Sequence, residues 1–320
     1  MPLWLVMVLC ILGAGAVYLL ICAAAAVYMF HYAIMRKPTH DVSDEKQTKG
    51  SVWEPFSAQI RTGRRWISEQ KPERVEIMSD DGLRLRGLWI PAEQAPAKGT
   101  ILLMHGYHSD GANQFCCMAK FYHDLGYHLL LADQRSHGAS EGRYIGYGVL
   151  ERFDCLRWTE YINQKCGSEM PIILDGLSMG ATTVLMAAGL PLPENVKGII
   201  ADCGFTSPHD IFTYVLHADA RIYLRPMLAA ADRICRRKAG YGFRDYSTWE
   251  AMAQNRIPVL FIHGLEDHFV PTRMSRENYE ACIAPKTLYL VKDARHAVSY
   301  LTDRAGYEET VRHFFYTIMK

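Results

Sequence analysis

Ile172-Ile173-Leu174-Asp175-Gly176-Leu177-Ser178-Met179-Gly180 runs directly into Ala181 to Ala188, a run of good helix formers. The apolar opening, without alternation, fits a strand buried on both faces of a parallel sheet. A serine held on a sharp strand-to-helix turn is exposed, and glycines on either side let the backbones approach closely. The helix that begins after it offers N–H groups and positive potential to a developing oxyanion. Ser178 is therefore the candidate nucleophile.

Outward from this turn, short apolar runs at 74–78, 83–90, 100–104, 128–132, 171–174, 198–201, 259–262 and 287–291 read as strands. The first two flank Ser79-Asp80-Asp81-Gly82, whose Asp-Gly pair signals an antiparallel hairpin. Helical patterns near 111–125, 148–165, 179–189, 273–283 and 304–318 lie between the later runs. This repetition implies a doubly wound α/β sheet. More than fifty residues separate Ala201 from Val259, with helical patterns at 208–216 and 222–235 and the basic residues Arg233, Arg236, Arg237 and Lys238. A structureless loop of that length is rare in a compact domain. An inserted helical cap, about 209–256, accounts for it better.

In an open parallel sheet, ligands bind beyond the carboxyl ends of the strands. The run 259–262 leads into His263-Gly264-Leu265-Glu266-Asp267, which supplies Asp267 as the candidate acid, with Glu266 as the alternative. His296 follows the last run after Lys292-Asp293-Ala294-Arg295 and precedes the C-terminal helix, which singles it out among 13 histidines. Each residue alone has an ordinary structural explanation; the order serine, acid, histidine at successive strand ends is what points to nucleophilic catalysis. The N–H groups of Tyr107, after the third run, and of Met179 are the expected oxyanion donors. His105, and Asp133 with the loop behind it, are expected to organise loops.

The 320 residues are 49% hydrophobic and 22% charged, with 35 Lys and Arg against 34 Asp and Glu. A formal net charge of +1 excludes a general basic field for nucleic acid. Of nine cysteines, Cys10 and Cys22 lie in the N-terminal apolar stretch. The other seven lack C-x-x-C or zinc spacing and read as free thiols of a reducing compartment.

From Leu3 to Ile34 no Asp, Glu, Lys or Arg occurs. About 20 apolar residues suffice to cross a bilayer. A secretory signal wants a basic start and a core of about 7–15 residues, which this stretch lacks, despite Ala-Gly-Ala at 14–16. The organisation is thus a transmembrane anchor over 1–36, a linker and amphipathic helix over 37–72, and a catalytic domain over 73–320. Trp53, Phe56, Ile60 and Ile67 are expected to pack against the domain. Arg36, Lys37, Lys46 and Lys49 follow the anchor and no basic side chain precedes it, which places the domain on the cytoplasmic side of the plasma membrane.

Residues 73–319 resemble the α/β-hydrolase superfamily. The resemblance is carried by His105-Gly106, Asp133-x-Arg135-x-His137-Gly138-x-Ser140, Gly176-x-Ser178-x-Gly180, His263-Gly264-x-x-Asp267-x-x-Val270-Pro271 and His296. The chain is similar to single-pass, membrane-anchored hydrolases of bacterial type. The resemblance implies a mostly parallel sheet of about eight strands with helices on both faces, and a triad of Ser178, Asp267 and His296. It also implies action on esters, thioesters or amides, with no metal or organic cofactor. A carboxylic ester hydrolase acting on small acyl esters or lipid-like substrates is expected first. A peptidase or amidase of the same fold, or a non-catalytic binding protein, are the alternatives.

Overall fold

A computed structural model of the chain describes residues 1–39, 41, 44–220 and 225–320. Residues 40, 42 and 43 of the expected linker and 221–224 of the expected cap lie outside them. Helix α1 (Leu3–Met29) continues into a π-helical turn, Phe30–Ile34. Then come α2 (Glu45–Thr48), a 3₁₀ turn at Glu54–Phe56, α3 (Ser57–Glu69), β1 (Glu73–Met78) and β2 (Arg84–Ile90). Next are β3 (Gly99–Met104), α4 (Gly111–Asp124), β4 (Tyr127–Ala132), α5 (Glu151–Cys166), β5 (Ile172–Leu177), α6 (Met179–Ala187) and β6 (Val196–Asp202). Between β6 and β7, where the cap is expected, lie α7 (Pro208–Ala220), α8 (Arg225–Ala239) and α9 (Thr248–Met252). The chain ends with β7 (Val259–Gly264), α10 (Thr272–Ala281), β8 (Lys286–Val291), α11 (Ser299–Thr302) and α12 (Arg304–Ile318).

The eight strands form one sheet in the order β1-β2-β4-β3-β5-β6-β7-β8. β1 with β2 and β2 with β4 pair antiparallel, and every later pairing is parallel. Side chains alternate across a strand, and each face of the sheet has its own core. Ile101 and Leu103 of β3 with Leu129 and Leu131 of β4 face α3, α4 and α12. Leu102, Met104 and Leu130 face α5 and α6, where Trp158 is fully buried. The parallel strands thus read as unbroken apolar runs because both faces are covered.

Two expected elements differ in detail. The amphipathic helix begins at Ser57 rather than Trp53, since Pro55 opens a separate 3₁₀ turn. Trp53 and Phe56 nonetheless pack on the core beside buried Ile60 and Ile67. The expected linker contains the short helix α2.

Leu3–Ile34 is one continuous 32-residue helix containing an 18-residue stretch of mean hydropathy 2.7, long and apolar enough to cross a membrane. At 1.5 Å per residue it is about 48 Å long, against a hydrocarbon core of about 30 Å. Its last third is not free. Cys22, Ala26, Met29, Phe30 and Ile34, spaced along one helical stripe, are buried with Met227, Leu228, Ala231 and Cys235 of α8. The chain then pairs with the domain itself: Met35 bridges to Tyr144, and the Arg36 N–H donates to the Arg143 carbonyl at 2.8 Å. The Arg36 guanidinium donates to the Ser140 and Gly138 carbonyls at 2.6 and 2.7 Å. The helix expected as a tether is docked.

Candidate active site

β5 ends at Leu177 and α6 begins at Met179, leaving Ser178 alone to make the turn. Its backbone is held at φ 57, ψ −116, a strained conformation for an L-residue of the kind concentrated at functional sites. Several contacts enforce it. The Ser178 N–H donates to the Asp202 carbonyl of β6 at 2.8 Å, and the Ser178 carbonyl accepts from Thr182 N–H at 3.1 Å. A Cβ at Gly180 would collide with the Met104 and His105 carbonyls, and one at Gly176 with the Gly180 carbonyl. Only glycine lets the helix close onto the strand ends there.

The three residues expected from separate strand ends meet. Ser178 Oγ lies 3.0 Å from His296 Nε2, and His296 Nδ1 lies 2.7 Å from Asp267 Oδ2. The other carboxylate oxygen, Oδ1, accepts the N–H groups of Phe269 and Val270, each at 2.9 Å. Burial alone would raise the Asp267 pKa, but hydrogen bonds from His263 and His296 outweigh it and hold the carboxyl well below its ordinary range. A charged Asp267 accepts from Nδ1–H, which leaves Nε2 to accept from the serine hydroxyl. His296 is partly exposed beside the ring of Phe269, 4.9 Å away. Glu266 points elsewhere: its side chain is 56% exposed and lies 3.7 Å from His268.

The loop after β3 lies against the turn, since a Cβ at Gly106 would touch Ser178 Cβ. The Tyr107 and Met179 N–H groups donate to no acceptor among the described residues. His105 is fully buried; it donates from Nδ1 to the Gly106 carbonyl at 2.7 Å and accepts the Gln134 N–H at Nε2, 2.9 Å away. Desolvation lowers its pKa, which keeps it neutral. Asp133 accepts the N–H groups of Gly111 and Ala139 and braces its loop. Behind it, buried Arg135 forks onto Asp154 at 2.6 and 2.7 Å and reaches Asp81. These are the loop-organising roles expected of His105 and Asp133.

Two residues that support the site have no role assigned from the sequence. His263 supports the acid from the other side: its Nε2 lies 3.2 Å from Asp267 Oδ2 and 2.9 Å from the Val270 carbonyl, while Nδ1 meets Ser275 Oγ at 2.6 Å. Its position four residues before Asp267 was the available signal. Asp202 joins the nucleophile turn to the histidine loop, since its carbonyl holds Ser178 N–H and its carboxylate accepts Ser299 Oγ at 3.1 Å. An acid ending an apolar run was the signal here. Burial raises its pKa to about 6. Asp175, bonded to Tyr122 Oη at 2.7 Å, is raised to about 7, again chiefly by burial. Cys203 completes the base of the site, with its Sγ and the donor atoms of Asp267 and His296 all within 4.8 Å of one another.

Beside Ser178, Met179 belongs to a buried apolar cluster with Phe205, Ile211, Phe212, Met227 and Val270, three of them from α7 and α8.

A model of the alpha/beta hydrolase fold family matches residues 99–226. The uncharacterized protein YqkD of Bacillus subtilis is 29% identical over 306 residues, which is 95% of this chain and 96% of that protein. Among solved structures, an esterase of Pyrococcus furiosus superposes with a TM-score of 0.65 at 20% identity, over 79% of this chain and 94% of that one. An acylaminoacyl peptidase of Pyrococcus horikoshii gives 0.57 at 18% identity, over 78% of this chain and 42% of that one. At such identities the structural likenesses speak for the fold alone. With its sheet order and the turn between β5 and α6, the chain has the α/β-hydrolase fold.

Proposed function

We propose that this chain is a serine hydrolase that cleaves carboxylic esters through an acyl-enzyme on Ser178. The observation that carries the reading is the unbroken relay from Asp267 through His296 to a serine held in a strained turn. His296 Nε2 takes the hydroxyl proton as Ser178 attacks the carbonyl carbon, and Asp267 orients the imidazole and stabilises its charged form. The negative charge that develops on the carbonyl oxygen is met by the free N–H groups of Tyr107 and Met179. His296 then gives the proton to the leaving alkoxide. Water, deprotonated by the same nitrogen, attacks the acyl group and restores Ser178.

The apolar cluster of cap residues beside Met179 favours esters with hydrocarbon acyl groups, lipid-like ones included. A panel of p-nitrophenyl esters of rising chain length, set beside aminoacyl anilides, tests this. Turnover of the esters with little action on the anilides is expected. The reverse preference would make the enzyme a peptidase or amidase.

In the same reading α1 anchors the protein in the plasma membrane with the catalytic domain in the cytoplasm. Its first 20 residues match the length needed to span, and burial against the domain begins at Cys22. Arg36 and Lys37 follow at once. Ala58→Cys, at an exposed position on α3 and in a background without other accessible thiols, is expected to resist a membrane-impermeant maleimide in intact cells. Labelling before lysis would place the domain outside.

A further inference from the structure

The end of a helix leaves carbonyls without intrahelical partners, and here the catalytic domain takes them up. Within the π-helical turn Phe30–Ile34, the Phe30 carbonyl is closed by Met35 N–H at 3.2 Å. The Ile34 carbonyl accepts Ile145 N–H at 2.8 Å, and the Ala33 carbonyl accepts the Tyr147 hydroxyl at 2.9 Å. The Tyr107 hydroxyl lies between the Tyr32 and Ala33 carbonyls, 3.1 Å from each. Burial pushes the Tyr107 phenol up to about 12, so it keeps the proton it donates. π-Turns occur often at functional sites, and this one accepts the hydroxyl of Tyr107, next to Gly106, where an added Cβ would meet Ser178 Cβ.

Tyr107 therefore has two separable parts. Its main-chain N–H donates to no acceptor among the described residues, and its side chain is tied to the apolar helix. The ring is fixed further by stacking on His108 at 3.7 Å and by lying 5.4 Å from the Tyr147 ring. An oxyanion donor works only when it is held at the right place before the charge develops, and a displacement of about 1 Å can cost on the order of 100-fold.

We propose that residues 30–36, at the end of the apolar helix, are a positioning element of the Ser178 site, fixing the Tyr107 loop through the Tyr107 hydroxyl. The inference rests on the reading of Ser178 as nucleophile and Tyr107 N–H as oxyanion donor. The helix is then part of the catalytic unit as well as an anchor. Nothing in the chemistry changes; the helix end decides how well one donor is aimed.

Tyr107→Phe in the full-length protein tests this, because it keeps the ring and the N–H and removes only the tie. For a short soluble p-nitrophenyl ester, kcat is expected to fall about tenfold with KM within twofold. That is short of the roughly 100- to 1000-fold loss of a whole donor. The rate of fluorophosphonate labelling should fall with kcat, while the final labelled fraction stays that of the wild type. Tyr147→Phe loosens the same carbonyl and should repeat the pattern more weakly, and it decides the matter by the same criteria if Tyr107→Phe does not fold. Wild-type kcat in the folded variants would overturn the inference, as would a loss of kcat matched by an equal loss of labelled fraction. Wild-type protein that fails to label at Ser178 would instead overturn the hydrolase reading itself.

Discussion

Ser178→Ala is expected to abolish ester hydrolysis and fluorophosphonate labelling, with a loss in kcat on the order of a millionfold. What survives is the contribution of the oxyanion donors and of binding, since neither Tyr107 nor Met179 N–H depends on the serine hydroxyl. The fold should persist, because the hydroxyl has one hydrogen-bond partner among the described residues, His296, and the turn is held by main-chain bonds and glycines that alanine leaves untouched. Near-native thermal melting with no turnover is therefore the expected pair of results. Turnover close to wild type in a pure Ser178→Ala preparation would move the nucleophile elsewhere.

The sheet and the three candidate residues were legible in the sequence because their physical causes are local. β3 through β7 are buried on both faces, so each reads largely as an apolar run, and the three candidate residues appear only beyond strand ends. Ser178, Asp267 and His296 each lie just past such an end, and the doubly wound topology brings those ends to one edge of the sheet. What was not legible depends on tertiary contact. His263 stands four residues before Asp267, but its approach to the carboxylate exists only once the turn after β7 closes. Asp202 looks like a strand-ending acid until Ser299, which follows in sequence by almost a hundred residues, reaches it.

The docking of the apolar helix was hidden for the opposite reason. A stretch that is apolar on every side has no hydrophobic face to read, so Leu3–Ile34 carried length but no direction. The packed stripe begins with the small residues Cys22 and Ala26, inside Cys22-Ala23-Ala24-Ala25-Ala26, where short side chains permit close approach of a neighbouring helix. That run was the available sign.

Asp267→Asn is expected to lower kcat by about 10⁴, the scale known for the equivalent change in a serine protease triad. The surroundings of Asp267 dictate how the amide must sit. Oδ1 accepts two main-chain N–H groups, from Phe269 and Val270, so the amide oxygen has to occupy that side. The NH2 then faces His296 Nδ1 and His263 Nε2. Toward His296 it can only donate, which forces the proton onto Nε2 and leaves that nitrogen unable to accept from Ser178. Toward His263, whose Nε2–H already donates to the Val270 carbonyl, it sets donor against donor. A fall in thermal midpoint should accompany the loss of activity. In the native protein the depressed carboxyl pKa lends stability that is fully present above about pH 4, the unfolded value, and is lost as pH falls through the lower folded value. The variant should therefore lose stability relative to wild type at neutral pH and converge with it only in strong acid. Glu266→Gln, on a solvent-facing side chain, should alter neither kcat nor melting appreciably. Full activity in Asp267→Asn, or a collapse of activity in Glu266→Gln, would assign the acid to the neighbouring residue.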